Sequence, residues 1–438
     1  MIQTLKKLFE LSYVRIAAFI ALAMITAVLL YARYLNLGID AVRINGFIFV
    51  YFIACLLIVG ATYYFKNPLN PINFYTLFIL CYGFNFLKLS AVSRDLSPIT
   101  HLIIILSILF FIAGVLLGNK IKTKQKVLWN SQSKSIIFYV TCVCIVLTFL
   151  LEIKTFGYLP LLKMFSMDVY KDTNEKLLSF LHYFIIMAAI VPSWAYILYK
   201  KEIISKKAWI WFSIGALFIL INYLSRQIFF LFMISAFTTY SFYYSVSVRK
   251  IVLALLSVIF IFILMGNIRI MRGRSVVNNY TAEELLRDLG KINYKTNFFE
   301  SFLNIYSSQR FDTMDKFVKM KKAEEFFGLG IFTFRPLSSI LFLDRIGIVD
   351  YKQYNINTQI AGYAIDPYLD FGLLGVVLLN FLYGFICRLT YINFNEGNTL
   401  YIIPWAMLIF CIIMTPFVNY FNTFIIWFAI FFNRLILK

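Results

Sequence analysis

Residues 99–118, ITHLIIILSILFFIAGVLLG, form an uninterrupted apolar run. A helix needs about 20 residues to cross the hydrocarbon core of a bilayer, so this run predicts one membrane span. Further runs of sufficient or nearly sufficient length lie near 16–32, 46–65, 71–87, 135–156, 178–199, 208–224, 228–246, 251–268, 366–391, 400–417 and 420–437. The pattern predicts an all-α polytopic membrane protein with about twelve transmembrane helices.

The composition excludes a soluble domain. The 438-residue chain is 61% hydrophobic and only 14% charged, with a mean hydropathy of +0.80, whereas soluble domains carry about 25% charged residues. All six cysteines fall within apolar runs, so their spacing predicts neither a disulfide framework nor a metal site. We expect no metal and no cofactor.

Basic residues in the short connections predict the orientation. With the amino terminus inside, eighteen Lys and Arg fall on the cytoplasmic side and nine on the outer side, leaving the long loop 269–365 aside. This bias places both termini in the cytoplasm. The net charge of +20 then reflects topology and the anionic inner leaflet, and nucleic acid is not an expected partner.

Most of the chain outside the bilayer is predicted to lie on the outer face. In the large outer loop, Phe298, Phe302, Ile305 and Tyr306 follow the spacing of an amphipathic helix, so we expect a helical loop. The expected organisation is nine spans at 1–268 with a smaller outer loop at 157–177, the large loop at 269–365, and three spans at 366–438.

Arginines gather at the predicted outer ends of the spans. Arg226 occupies a short turn between two apolar runs, and Arg269, Arg272 and Arg274 follow the ninth run in NIRIMRGRS, residues 267–275. A guanidinium fork matches phosphate oxygens bidentately and keeps its charge, so the cluster favours a diphosphate ligand. Snorkelling from a turn and contact with lipid headgroups are the alternative roles.

Acidic residues and one histidine are candidates for proton transfer. Asp366 and Asp370 share a helical face at the start of the tenth run, and Glu300 or Asp312 could also serve as a general base. Asp366 precedes a proline and also suits a helix N-cap. His182, at the start of the sixth run, is either a proton acceptor or a hydrogen-bonded packing residue. Among these acidic residues, Asp370 is slightly preferred as the general base.

Three segments resemble one family. GYLPLL at 157–162, FGLGIFTFRP at 327–336 and NTQIAGYAIDPYLDFGLLG at 357–375 are similar to segments of Wzy-type O-antigen and oligosaccharide repeat unit polymerases. The Ser-Arg turn and the arginine-bearing exit from the ninth run add to the likeness. The resemblance covers most of residues 150–392, and the first five runs contribute topology only.

The resemblance implies a C-type glycosyltransferase architecture and a metal-independent reaction at the outer face of a bacterial cytoplasmic membrane. A growing glycan passes from undecaprenyl diphosphate to a lipid-linked oligosaccharide repeat unit, and a separate chain-length regulator is an expected partner. Candidates for stacking on sugars are Tyr306, Tyr351, Tyr354 and Tyr363, and anchoring at the membrane interface is the alternative role. The implied catalytic residues are Arg226, Arg269, Arg272 and Asp370, and the implied substrate-binding residues are Arg274, Arg310, Arg335, Tyr306, Asp366 and His182.

Other classes share parts of this pattern. An O-antigen ligase would have the same architecture and leaving group, but its outer-loop histidine has no clear counterpart because His101 and His182 lie at span ends. A lipid-linked oligosaccharide flippase would also have about twelve spans, with shorter loops and internal repeats. A membrane acyltransferase is a weaker alternative, because the sequence suggests no histidine in a polar pocket.

Overall fold

The computed structural model describes most of the chain. The residues outside the description are 1, 91–92, 94, 119–131, 164–177, 179–180, 224, 248, 252, 254–255, 258–259, 261–286, 288–289, 293, 322–327, 329, 335–361 and 438. Only the backbone is described for residues 2–17, 132–135, 298–299 and 306–307.

The described residues are overwhelmingly helical. In place of any strand, they contain one isolated bridge between Ser90 and Ile292. The helices are α1 Ile2–Asn36, α2 Ala41–Phe65, α3 Pro71–Asn85, α4 Pro98–Leu117, α5 Gln132–Phe156, α6 His182–Met187, α7 Val191–Lys200, α8 Lys206–Tyr223, α9 Arg226–Tyr243, α10 Phe298–Leu303, α11 Gln309–Met320, α12 Ile365–Asn395, α13 Ile402–Met414 and α14 Phe424–Leu437.

Five described helices are long and apolar enough to cross a membrane. They are the Ala18–Asn36 part of α1, α2, α4, the Ile136–Phe156 part of α5, and α12. Large apolar side chains on these helices stay exposed, for example Val28 at 68% and Phe49 at 67%, as a hydrocarbon solvent permits. The described part of the chain is therefore an all-α membrane protein, and the predicted total of twelve spans stays a prediction.

The sixth predicted run, 178–199, is not one continuous helix. It forms α6 and α7, which are separated by a turn at residues 188–190. Pro192 lies in the first turn of α7, where its missing N–H has no helical partner to lose. A proline at this position favours a helix start, so the run divides there.

The chain divides into two compact units. Unit 1 comprises Met1–Val115, Leu286–Gly384 and Ile412–Asn419, and unit 2 comprises Leu116–Leu285, Phe385–Cys411 and Tyr420–Lys438. Helices α4, α12 and α13 each contribute residues to both units. Unit 1 is assembled from three separate stretches of chain, as is unit 2.

In unit 1, an aromatic trio joins the first three helices. The rings of Tyr34, Phe47 and Phe84 meet edge to face, with centroids 5.8 to 6.5 Å apart. Such pairs are worth about 0.5–1.5 kcal/mol beyond their buried area. The trio therefore fixes α1, α2 and α3 as one packed layer.

The helices of the predicted outer loop, α10 and α11, belong to unit 1. Asn297 and Glu300 form a reciprocal capping box that begins α10. A π-helical turn, Asn304–Ser308, then leads directly into α11. Phe311, fully buried on α11, packs against Phe78 and Tyr82 of α3. The described part of the loop is thus helical, as the apolar spacing predicts, and packs on the span region.

The Asp315 carboxylate fastens α11 to the chain at the start of α4. Asp315 accepts hydrogen bonds from the Ser97 backbone N–H and the Thr100 hydroxyl, both at 2.7 Å, and pairs with Lys319. Burial opposes ionisation of this carboxyl, but hydrogen bonds from Lys319, Ser97 and Thr100 outweigh it and lower the pKa of Asp315 to about 2. Asp315 is therefore charged at neutral pH.

Helix α12 contains a break. Gly372 has φ 63° and ψ −152°, a conformation that side-chain-bearing residues rarely adopt. The break leaves carbonyl oxygens of the preceding turn without helical donors. The Gly328 N–H and the Lys321 ammonium both bond to the Leu369 carbonyl, each at 3.1 Å, so these two residues satisfy one of the carbonyl groups at this helix end.

In unit 2, α6, α7 and α14 enclose an aromatic core. Phe184 lies edge to face with Phe428 and Phe432 of α14. The buried Trp194 indole donates to the Asn433 side chain at 3.0 Å. A buried indole N–H without a partner would cost free energy, so this bond fixes α7 against α14.

Candidate functional site

Arg226 begins helix α9, at the turn that follows α8. Its side chain is partly exposed, and Ser225 before it is the N-cap residue with extended backbone. The first N–H groups of a helix carry a partial positive charge, and the Arg226 guanidinium adds a full one. The first N–H groups of α9 and the Arg226 guanidinium are groups that can bind an anion.

The same turn is tied to the predicted smaller outer loop. Asn222, 1% exposed in the last turn of α8, accepts the Leu161 N–H at 3.4 Å and donates to the Phe218 carbonyl at 2.9 Å. Leu161 lies in the short helical turn Pro160–Lys163 that GYLPLL forms. The structure thus brings together two of the segments on which the family resemblance depends.

A buried carboxylate of unit 2 is hydrogen-bonded to the residue that ends α8 before this turn. Glu152, near the end of α5, is fully buried and accepts hydrogen bonds from three donors. They come from the Leu178 N–H at 3.3 Å, from His182 Nδ1 at 3.1 Å, and from the Tyr223 hydroxyl. Tyr223 ends α8, three residues before Arg226. We call Glu152, His182 and Tyr223 the acidic triad.

The acidic triad is a compensated charge inside an apolar helix. An ionised carboxylate in a low-dielectric surrounding is strongly disfavoured unless donors or cations surround it. Hydrogen bonds to a charged group each contribute about 1.5–3 kcal/mol, so three donors from three chain segments can offset this penalty. The arrangement holds α5, α6 and α8 at one end of unit 2 in a fixed geometry.

Asp370, predicted as the general base, lies in unit 1. Its side chain is fully buried, and its two oxygens accept the backbone N–H groups of Phe332 and Thr333. A Cβ at Gly328 would press against this carboxylate, so a side chain there would displace the Asp370 carboxylate or the Phe332 ring. Asp370 therefore organises the turn at residues 330–334. Its role as a base stays a prediction.

The other acidic candidates also have partners in unit 1. Asp366 accepts the Asn419 side-chain amide at 3.1 Å. Glu300 forms a bidentate pair with Arg33, at 3.0 and 3.1 Å. Such forked pairs are the strong ones among ion pairs. The contacts give both carboxylates a structural function, and their catalytic function is untested.

Asp312 forms a nearly buried ion pair. Its carboxylate lies 3.6 Å from the Lys88 ammonium and accepts the Ser93 hydroxyl at 2.6 Å. Burial lowers the pKa of Lys88 and raises the pKa of Asp312, and in each case the opposing charge of the partner acts against the shift. Removing either partner would leave an uncompensated charge, the costly way to perturb a buried pair.

Arg310 and Tyr363 have different surroundings. Arg310 lies in the first turn of α11 in unit 1 and is partly exposed. Tyr363 is fully buried, its hydroxyl is hydrogen-bonded to that of Tyr75, and its ring lies edge to face with Phe78. The prediction that Tyr363 stacks on a sugar is wrong, because its faces are covered by other side chains.

Four predicted arginines and three tyrosine side chains cannot be placed. The residues that lie outside the description are Arg269, Arg272, Arg274, Arg335, Tyr351 and Tyr354. The backbone of Tyr306 belongs to the π-helical turn, but its side chain is outside the description. Of the predicted site residues, the structure therefore brings His182 and Arg226 into unit 2, and Arg310, Asp366 and Asp370 into unit 1.

Sequence reasoning missed Glu152 and Tyr223. Glu152 carries a usable signal, since an ionisable residue inside an apolar run marks a functional site by default. Tyr223 carries none, because the chain has 29 tyrosines and many suit a membrane interface.

Comparisons with known proteins do not identify the site. No family model, no curated protein and no solved structure matches the chain.

Proposed function

We propose that this protein is a glycosyltransferase that polymerises undecaprenyl-diphosphate-linked oligosaccharide repeat units at the outer face of a bacterial cytoplasmic membrane. The observation that carries the proposal is the Arg226 turn, where a cation at a helix start follows directly on the acidic triad. A diphosphate leaving group and a hydroxyl nucleophile require these two kinds of group. The resemblance in residues 150–392 supplies the substrate class.

The reaction forms one glycosidic bond and breaks another. The acceptor hydroxyl attacks the anomeric carbon of the donor glycan, the bond from that carbon to the diphosphate oxygen breaks, and undecaprenyl diphosphate leaves with the electron pair. Negative charge grows on the diphosphate as the bond breaks, so a preorganised donor aimed at it stabilises the transition state. Arg226, together with Arg269 and Arg272, provides donors to this diphosphate.

The test is polymer formation by the purified protein in detergent, supplied with lipid-linked repeat units. Arg226→Lys keeps the charge but loses the forked donor, so we expect polymerisation to slow at least about tenfold, or roughly 1.4 kcal/mol of transition-state stabilisation. Arg226→Ala should be slower still. Arg434→Lys, the same replacement at an exposed position of α14, is the matched control and should polymerise at the wild-type rate.

Two outcomes would contradict this mechanism. One is a near-normal rate for Arg226→Lys, which would make the residue a membrane anchor. The other is loss of wild-type polymerisation in a chelator, which would assign the charge stabilisation to a metal.

The same assay separates the two alternatives. A flippase moves its lipid-linked substrate without forming a bond, so it yields no polymer in detergent. An O-antigen ligase transfers glycan only when a lipid A core acceptor is added, and it then gives a single transfer rather than a ladder.

A further inference from the structure

The acidic triad has the geometry of an oriented base, a role that the arginines do not fill. Glu152 is fully buried, whereas the side chain of His182 is 16% exposed. A base must reach its substrate, so of these two groups only the histidine can exchange a proton with a bound sugar. The carboxylate is then a partner of the histidine.

The Glu152 contact determines which ring nitrogen is available. His182 Nδ1 lies 3.1 and 3.2 Å from the two carboxylate oxygens, so it is Nδ1 that carries the proton. In a neutral imidazole the other nitrogen, Nε2, then has the lone pair. A carboxylate that bonds Nδ1–H holds the ring in this tautomer and stabilises the imidazolium that forms after proton transfer.

Tyr223 and Leu178 complete the arrangement. The Tyr223 ring lies 5.4 Å from the His182 ring, centroid to centroid, and its hydroxyl donates to Glu152 Oε2. The Leu178 N–H donates to Oε1. Both carboxylate oxygens are thus fixed by donors other than the histidine, so Glu152 cannot rotate away from His182.

We infer that His182 is the general base that accepts the proton of the acceptor hydroxyl, with Glu152 as its positioning residue. This assignment rests on the proposed glycosyl transfer. As the acceptor oxygen bonds to the anomeric carbon and the diphosphate leaves, the hydroxyl proton moves to His182 Nε2. The proton later passes to the departing diphosphate or to water, which restores the neutral imidazole.

The kinetic test compares variants of the triad in the polymerisation assay. His182→Gln should lower kcat about a hundredfold or more, the usual contribution of a general base, with KM changed little. Glu152→Gln should lower kcat about tenfold or more. His101→Gln removes the other histidine of the chain, which bonds Tyr82, and should leave kcat unchanged.

Chemical rescue separates catalysis from packing. In His182→Ala, added imidazole can occupy the space of the lost ring and accept the proton, so activity should recover at least tenfold. Imidazole should not restore Arg226→Ala, which lacks a different group. A structural histidine would show no such rescue. Wild-type kcat in His182→Gln, or equal effects of imidazole on both alanine variants, would overturn the assignment.

A second measurement, chemical modification, needs no folded triad variant, and its first readout needs no substrate. In the His101→Gln background, diethyl pyrocarbonate should carbethoxylate His182 at Nε2, because Nδ1 is bonded to Glu152. Lack of modification would refute the geometry, and a modified protein that polymerises at full rate would refute the role. If the unmodified wild-type protein makes no polymer but the reagent does modify His182, the proposed function fails and the exposed, oriented histidine stands.

Discussion

Replacing Gly384 with alanine should separate two helices of unit 1. Gly384 lies on α12 against α4, and an added Cβ would overlap the Phe111 carbonyl group, 2.9 Å from its carbon, and lie 3.1 Å from the Val115 nitrogen. Every one of these neighbours is backbone. Unlike a flexible side chain, a helix backbone cannot rotate away, so the helices must move apart.

The magnitude follows from the size of that movement. Carbon atoms attract best at about 3.5–4.0 Å, so relief requires a displacement of roughly 0.5–1 Å, which forfeits a quarter to a half of the dispersion energy along the contact. Overpacking of this kind costs about 1–3 kcal/mol, and we expect the upper part of the range. Gly60→Ala is the matched control, because an added Cβ on exposed Gly60 of α2 has nothing within 4 Å.

The assay is thermal unfolding in detergent with a thiol-reactive dye. Cys81, Cys142, Cys387 and Cys411 are buried thiols, so dye labelling reports unfolding. At one scan rate, Gly384→Ala should unfold several degrees below wild type, and Gly60→Ala at or slightly above it. Shortening the side chain in Phe111→Leu should not rescue Gly384→Ala, since the clash is with backbone. Equal midpoints for Gly384→Ala and wild type would refute the close approach of α4 and α12.

Two further predictions concern buried carboxylates of unit 1. Asp315 has its pKa lowered to about 2, so its charged form stabilises the fold above the unfolded pKa of about 4 and that contribution is lost as pH falls toward 2. In acid unfolding curves, Asp315→Asn should therefore be less stable than wild type at pH 7, and the gap should close below about pH 4. Asp370→Asn loses one acceptor for a backbone N–H and should reduce the free energy of unfolding by about 1–3 kcal/mol, measured with denaturant. Wild-type stability with lost polymerisation would instead support the predicted base role of Asp370.

Hydropathy predicts most of the helices, because every span must be apolar over about 20 residues to cross the bilayer. The run 99–118 corresponds to α4, Pro98–Leu117, within one residue at each end. The break between α6 and α7 was not foreseen, since a proline within an apolar run can begin, kink or leave a helix depending on its neighbours. Local sequence thus predicts that a helix exists better than where it is interrupted.

The candidate site was predictable only in part, because its partners are far apart in the chain. Arg226 and His182 stand out as rare polar residues, but the Tyr223 to Glu152 bond joins residues 71 positions apart. The hydrogen bonds of Asp370 could not be predicted from the sequence for a different reason. Its donors are the backbone N–H groups of Phe332 and Thr333, and backbone donors leave no signature in residue identity.

The bidentate pair of Arg33 with Glu300 has a consequence for biosynthesis. Its two residues are 267 positions apart, so at about 5–20 residues per second a ribosome completes the second on the order of 10–50 s after the first. In the later part of that interval α1 to α4 have already been made, but the rest of unit 1, including α10, α11 and the start of α12, has not. The first helices to enter the membrane are therefore among the last to reach their final packing, and a chain that stalls before residue 286 would present an incomplete unit 1 to quality-control proteases.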